Sequence, residues 1–475
     1  MNPLILLTLY LCVLFPLAWF GRRCSTGRTP HDFYIAGGRM GFFVLLATLF
    51  ATQYSGNTFM AFPGKSYRMG YAFLMSIPFM MAIVLCYLFY APSLRRVALQ
   101  HRFVTPCDWI HHRYQSLPLT LACAGLMVWA LLNFLLAQLM AMGHAVSGIT
   151  EGQISYTTGV LFLALVVVLY ESVGGMRAVA WTDTLQGVIM VVAVLFLGGW
   201  LLTGPSDFAT LPGRVLAVAP EKVRPPDWKM CVTWASSIFI IGVGGSMYPQ
   251  AIQRIYSAVS TRTLKRTLAV MVFLPLLTVL FADMMGWMAI SEFHLLDRIE
   301  SDKVMALMLA EIAQRGVLLN FAVLLLLLGA LAAIMSTADS VLLSLSSILV
   351  QDFYAKTSTR TVPEEALLKY GKITSWLLMA VLLIFALQPK VTLWRLLELK
   401  FEILIQVAPA FVLGFYLPRL TAGIALIGIA AGTSIAMIGF VQETKWFGIH
   451  PGTIGCLVNL AICGFMSKHC QSAAP

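Results

Sequence analysis

Hydroxyl, hydroxyl, carboxylate and hydroxyl groups fall within five residues at Ser336-Thr-Ala-Asp-Ser340, inside an otherwise apolar run. Hydroxyls in membrane helices often bond back to their own helix, which accounts for a lone serine but poorly for so dense a set. Neutral oxygens joined by freed backbone carbonyls make a weak, hard cage of the kind a desolvated alkali cation requires. An oxygen-only set with no Cys or His argues against a transition metal. A second polar patch, Ala51-Thr-Gln-Tyr-Ser-Gly-Asn57, places a glycine among hydroxyls and amides in mid-span. A third irregular place is Gly242-Val-Gly-Gly245, with Pro249 shortly beyond. Membrane helices broken at such places release carbonyls to a cavity or an ion. Small residues also let helices pack closely, so either patch taken singly reads equally well as packing.

Ionisable groups inside a bilayer are expensive and mark function by default. Asp283, Asp339 and the group Glu398-Leu-Lys-Phe-Glu402 lie within apolar stretches. Glu398 and Glu402 flank Lys400, so that cluster reads first as an internally neutralised helix face. Asp183 is expected at the cytoplasmic mouth of its span, where wetting lowers the cost of its charge.

These residues must be held by membrane helices. The 475 residues are 59% hydrophobic and only 11% charged, with a mean hydropathy of +0.83. Soluble chains carry about a quarter charged residues. A bilayer crossing takes about 20 apolar residues, and the chain divides into thirteen such stretches. They are 3–21, 41–64, 71–93, 117–142, 156–173, 183–203, 230–251, 267–290, 315–350, 373–388, 392–417, 420–440 and 448–466. The expected fold is therefore all-α and polytopic, one membrane transport domain over 1–475. Residues 1–21 lack a basic leader region and a small-residue cleavage site, so they read as a retained helix. The ninth stretch is too long for one crossing and is expected to run on into the cytoplasm, ending near Gln351–Tyr354. Residues 297–315 carry Val304, Leu307, Met308 and Ile312 at helical spacing, the pattern of an amphipathic surface helix.

The net charge of +11 comes from Lys and Arg scattered through short loops, which set orientation rather than bind nucleic acid. Placing the basic residues of 22–39, 95–113, 254–266 and 356–372 inside puts the N-terminus outside and the C-terminus in the cytoplasm. The nine cysteines form no C-x-x-C pair, so they read as buried small hydrophobes. There is no P-loop, metal-ligand pair or nucleophile elbow, so the chain is not read as an enzyme and no cofactor is expected. Transport must then be passive or driven by an ion gradient. Five spans separate the two breakable ones, which suits two inverted five-helix repeats, 41–203 and 230–417, with 420–466 as two further helices. Corresponding breaks in two halves are the best pointer to a binding site.

At these residues the sequence resembles the sodium/solute symporter family. The resemblance rests on Tyr34-Ile-Ala-Gly-Gly-Arg39, on Tyr170 and Gly174-Gly-Met-Arg-Ala-Val-Ala-Trp-Thr-Asp183 with Gln186, on Pro249 with Arg254, and on Ala333 to Ser340 followed by Asp352. It implies a LeuT-like core and sodium-coupled symport of a small organic solute into the cell by alternating access. Carried over by position, the family's sodium site falls on the carbonyls of Ala51, Tyr54 and Ala333 and the hydroxyls of Ser336 and Thr337. Gln53 stands where proline-type members have an aspartate, and Met247-Tyr248 replaces a common Gly-Gln, so no substrate can be borrowed. In a LeuT-like core the sixth and ninth spans are neighbours. Asp183, Asp339 and Ser340 would then form an inner relay for sodium or a proton, or else Asp183 would simply cap its helix.

The solute cavity is expected to draw on Gln53, Ser55, Asn57 and Thr58 and on the Gly242, Gly244, Gly245 and Tyr248 break. Polar but largely uncharged groups suit a small zwitterion, carboxylate or vitamin-like acid, which half-helix N-termini can hold without an arginine. Na+ is the coupling ion, the lipid bilayer the surroundings, and a monomer the transport unit. Two other readings stand beside this one. The first is a transporter-like sensor joined to a signalling partner, against which the short stretch after the last span weighs. The second is a proton-coupled carrier using Asp183 or Asp339.

Overall fold

The computed structural model describes residues 3–23, 29–54, 56–150, 152–203, 208–293, 296–297, 300–388, 393–442 and 445–469. Within them the chain is helical, with only two isolated single-pair β-bridges. Apolar segments in lipid must satisfy every backbone N–H and C=O internally, and the helix does this within one segment. In chain order the helices begin with α1 (Pro3–Arg23), α2 (Pro30–Ile35), α3 (Phe42–Gln53), α4 (Gly56–Met69) and α5 (Ser76–His101). They continue with α6 (Pro106–Tyr114), α7 (Leu117–Ile149), α8 (Tyr156–Thr203), α9 (Leu211–Val218) and α10 (Trp228–Ser246). Then come α11 (Pro249–Ser257), α12 (Thr261–Met271), α13 (Pro275–Glu292), α14 (Val304–Gln314) and α15 (Val317–Ile348). The last are α16 (Glu364–Ala386), α17 (Leu393–Leu404), α18 (Ala408–Tyr416), α19 (Ala422–Val441) and α20 (Pro451–His469).

Helix starts are fixed by side-chain oxygens. Thr29, Ser116, Asp227, Ser260 and Thr421 each accept a bond from the backbone N–H three residues on, filling one of the donors a helix leaves open. Among the described residues, nine helical runs are long and apolar enough to cross a membrane. The remaining expected spans are helical as well, as α1, α3 and α20, and the fifth and sixth lie within one run.

That run, α8, departs from expectation. No loop separates 156–173 from 183–203; the only non-helical residue is Gly175, at φ 54° and ψ −152°. This region is essentially closed to residues with a Cβ. Asp183 therefore lies well inside the helix and fully buried, neither its N-cap nor at a wetted mouth.

The other two irregular places are real breaks. Between α3 and α4, Tyr54 leaves helical geometry at φ −98° and ψ 78°. Between α10 and α11, Met247 and Tyr248 do so, Tyr248 at φ −59° and ψ 117°. Pro249 then opens α11, where its missing N–H costs nothing. The approach to α3 and the end of α11 are tied together: Met40 N donates to Ser257 O at 2.8 Å and Val259 N to Met40 O at 2.9 Å. Arg95 Nε reinforces the tie with a 2.7 Å bond to Ala258 O.

α15 closes in a π-helical turn at Leu349–Ala355, so the long ninth helix extends as its length requires. The amphipathic segment 297–315 is helical from Val304 to Gln314. Its buried Val304, Met308 and Ile312 pack on α4, α13 and α15, so the apolar stripe is covered by the protein itself.

Candidate transport site

The break after α3 lies against the middle of α15. Thr337 Oγ1 donates to its own helix at Ala333 O (2.9 Å) and reaches Ala51 O at 3.3 Å. The carbonyls of Ala51 and Ala333 and the Thr337 hydroxyl thus share one small space. Tyr54, at the break, is fully buried and its hydroxyl has no hydrogen-bond partner. Ser336 Oγ donates to Asp183 Oδ1. A hydroxyl that gives its proton to a carboxylate keeps its lone pairs for a cation.

Behind this space lies a charged cluster with no exposure. Arg254, from α11, extends between α3, α8 and α15. Its Nη2 is 3.0 Å from Asp183 Oδ2 and 2.5 Å from Ser340 Oγ. Its Nε donates to Thr48 Oγ1 at 2.7 Å, and Nη1 to Gln250 O at 3.1 Å. Thr48 in turn donates to Asp183 Oδ2. Ser340 donates to Ser336 O at 2.7 Å and lies 3.1 Å from Asp339 Oδ1, while Tyr170 donates to Asp339 Oδ2 at 2.5 Å. The two carboxylates do not share a direct contact; Arg254 and Ser340 stand between them. Both partners of the Asp183–Arg254 pair are fully buried, a condition under which only paired and hydrogen-bonded charges persist.

Sequence reasoning missed this role of Arg254, and Thr48 altogether. The available signal was a long basic side chain six residues after Tyr248, in a segment short of any other charge. The length of α11 and the direction Arg254 points were not legible.

A cavity of about 140 Å³ opens beside the two breaks. Gln53 at the end of α3, Thr58 on α4 and Tyr248 at the α10–α11 junction line it. Its apolar wall comes from Phe62, Phe79, Met80, Ile83, Phe134, Ile240 and Ile241. Ser55 and the side chain of Asn57 lie outside the described residues. Gly242, Gly244 and Gly245 do not line it. A Cβ on Gly242 would sit 2.7 Å from the Ala82 Cβ, and one on Gly245 2.7 Å from Ile83 Cδ1. On Gly244 it would come within 3.3 Å of Phe401 O. These glycines serve close packing of α10 against α5 and α17, which corrects their assignment to the cavity.

The Glu398–Lys400–Glu402 cluster is also rearranged. Glu402 pairs with His450 Nδ1 at 3.1 Å and accepts from Gly452 N, while Glu398 faces Lys445 at 3.9 Å. Lys400 lines the cavity. Residues two apart on a helix do not face each other, so neither glutamate could neutralise the lysine between them.

A helical bundle whose broken membrane helices meet at an oxygen-rich space beside a cavity is a secondary transporter, with coordinating carbonyls where the helices part. The chain belongs to the sodium:solute symporter family, whose profile it matches over residues 33–432. It is 26% identical to a sodium/pantothenate symporter of Escherichia coli, over 96% of this chain and 94% of the relative. It is 24% identical to the osmoregulated proline transporter OpuE of Bacillus subtilis, over 99% and 96%. The structure of a Na+-coupled sialic acid symporter superposes with a TM-score of 0.82 at 18% identity, covering 100% of this chain and 98% of that one. Mhp1, a nucleobase-cation-symport-1 family transporter, does so at 0.58 and 15%, covering 94% and 97%. The fold is therefore the LeuT-like one expected. The protein is a multi-pass membrane symporter with Na+ as coupling ion and a small organic solute as cargo, not an enzyme.

Proposed function

We propose that Na+ is held by the carbonyls of Ala51, Tyr54 and Ala333 and the hydroxyls of Ser336 and Thr337, and that the solute occupies the adjoining cavity. The observation that carries this reading is the approach of Thr337 Oγ1 to Ala51 O (3.3 Å) across the break of α3 and α4. Gln53, Thr58 and Tyr248 would contact the solute, since they line the same wall. A cavity of comparable volume takes up a molecule the size of benzene, so the cargo is small. Asp183, Asp339 and Ser340 form the inner relay of this scheme, with Arg254 as its fixed positive charge. The inverted repeats run over 41–203 and 230–417, each having a break in its first helix. The basic loops put the N-terminus outside and the C-terminus in the cytoplasm, and one chain makes up the transport unit.

Sodium should raise the melting temperature of the purified protein in a concentration-dependent way, as binding to the folded state alone requires. Potassium and choline at matched ionic strength should not. Equal shifts from all three would exclude a specific sodium site.

In the Ser336→Ala, Thr337→Ala double variant, two oxygens that would face the ion are removed while the helix stays intact. A bond to a charged group contributes about 1.5–3 kcal/mol, so the sodium concentration for half-maximal stabilisation should rise about tenfold or more. An unaltered sodium titration of the folded variant would move the site elsewhere.

A further inference from the structure

The cavity contains a charge that the fold does not answer. Lys400, on α17, is 2% exposed. Its ammonium lies 3.2 Å from the centroid of the Phe134 ring, 4.8 Å from that of Tyr248 and 4.9 Å from that of Phe401. Among the described residues it has no ion pair, because Glu398 and Glu402 are directed to Lys445 and His450. Aromatic faces attract an ammonium, but desolvating an unpaired one costs more than they return. A protein that needed only packing here would use Met or Leu. Gln53, which lines the same cavity, is 6% exposed, and neither its Oε1 nor its Nε2 has a partner. An amide with both ends unsatisfied and a lone cation, facing one space, are the parts of a receptor for a carboxylate.

We propose that Lys400 is the specificity-determining residue of the transport cavity. On this proposal the cargo is a small organic monoanion whose carboxylate meets the Lys400 ammonium inside the Phe134–Tyr248–Phe401 cage. The inference rests on the reading of that cavity as the solute site. The apolar wall opposite takes the body of the molecule. The charges on the wall also discriminate against an amino acid. Besides Lys400 the lining carries Lys445, whose ammonium faces the carboxylate of Glu398, and His450, which meets Glu402. An α-ammonium would meet the Lys400 ammonium with no carboxylate of the lining left to answer it. A carboxylic acid lacking the amine fits, its neutral amide does not, and the matching zwitterion is disfavoured.

Two matched triples test this by thermal shift in saturating sodium: 4-methylpentanoate, 4-methylpentanamide and leucine, then 3-phenylpropanoate, 3-phenylpropanamide and phenylalanine. At least one acid should raise the melting temperature of the wild-type protein, with an apparent affinity at least ten times that of its amide and its amino acid. Lys400→Met should abolish the acid's shift. It should also melt no lower than wild type without solute, since it removes an unpaired buried cation. Lys400→Gln gives the same reading should the Met variant fail to fold. Larger shifts from an amide or an amino acid, no shift from any member, or an undiminished acid response in Lys400→Met overturn the proposal. Sodium alone separates the two levels: a sodium shift kept without acid selectivity defeats only this inference. No sodium-specific shift in wild type defeats the site reading beneath it.

Discussion

Arg254→Met should be among the most damaging single substitutions in the molecule. It strands Asp183 as a buried carboxylate with only the Thr48 and Ser336 hydroxyls to answer it. Removing one partner of a buried pair costs about 3–5 kcal/mol. Most of the folded protein should be lost, read as a sharp fall in melting temperature and in monodisperse yield. Asp183→Asn, which leaves the guanidinium without its carboxylate, should be damaging for the mirror reason. Joining the two changes removes both charges together, and replacing a whole buried pair by neutral groups is often close to neutral. The double variant should therefore melt nearer to wild type than either single one, giving a coupling energy in a double-mutant cycle. Additive losses would mean that the pair is not an energetic unit. The folded double variant also tests the relay. If the Asp183–Arg254 pair is purely structural, net uptake and solute binding should both be near normal. If Asp183 passes the ion inward, outside binding should survive while the initial uptake rate falls. Asp339→Asn, which keeps the side chain's size, completes the comparison. Wild-type uptake by both would leave these carboxylates with a purely structural role.

Gly175→Ala attacks the backbone instead. A Cβ at this position would lie 2.6 Å from Phe33 O and 2.7 Å from the Phe33 ring, at a φ of +54°. Such backbone costs a non-glycine residue about 1–3 kcal/mol before any clash is counted, and α2 would have to be displaced as well. The expected result is a large drop in melting temperature together with loss of transport. Asp183 and Met176, on the C-terminal side of the bend, would lose their register against α15. Gly199→Ala in the same helix meets no atom within 4 Å and should melt at or slightly above the wild-type temperature, since Ala favours helix over Gly by about 1 kcal/mol. Equal melting of the two variants would show that the bend does not depend on glycine.

The oxygen-rich patch, both helix breaks and the all-helical class were legible because each is local. Hydropathy over about 20 residues decides a crossing. A polar interruption or a proline within such a run reports its own break, as at Tyr54 and just before Pro249. The same locality explains two errors. A polar, glycine-containing stretch at 174–182 reads as a loop, yet a single left-handed glycine turns the chain and the rest stays helical. Gly242, Gly244 and Gly245 read as cavity backbone, yet what a missing Cβ makes room for depends on the opposing helix, here Ala82, Ile83 and Phe401.

What the sequence determined by itself was the inventory: membrane helices, their interruptions, and the residue types able to hold an alkali cation. What only the tertiary structure decided was which charges meet. Arg254 reaches Asp183, 71 residues earlier in the chain, and Ser340, 86 residues later. The glutamates beside Lys400 turn instead to Lys445 and His450, 47 and 48 residues further along the chain. Periodicity states which face of a helix a side chain occupies, but the partner of that face is set by the packing of distant helices. In a medium without water, the partner decides whether a buried charge is neutralised within the protein or left for the cargo to neutralise.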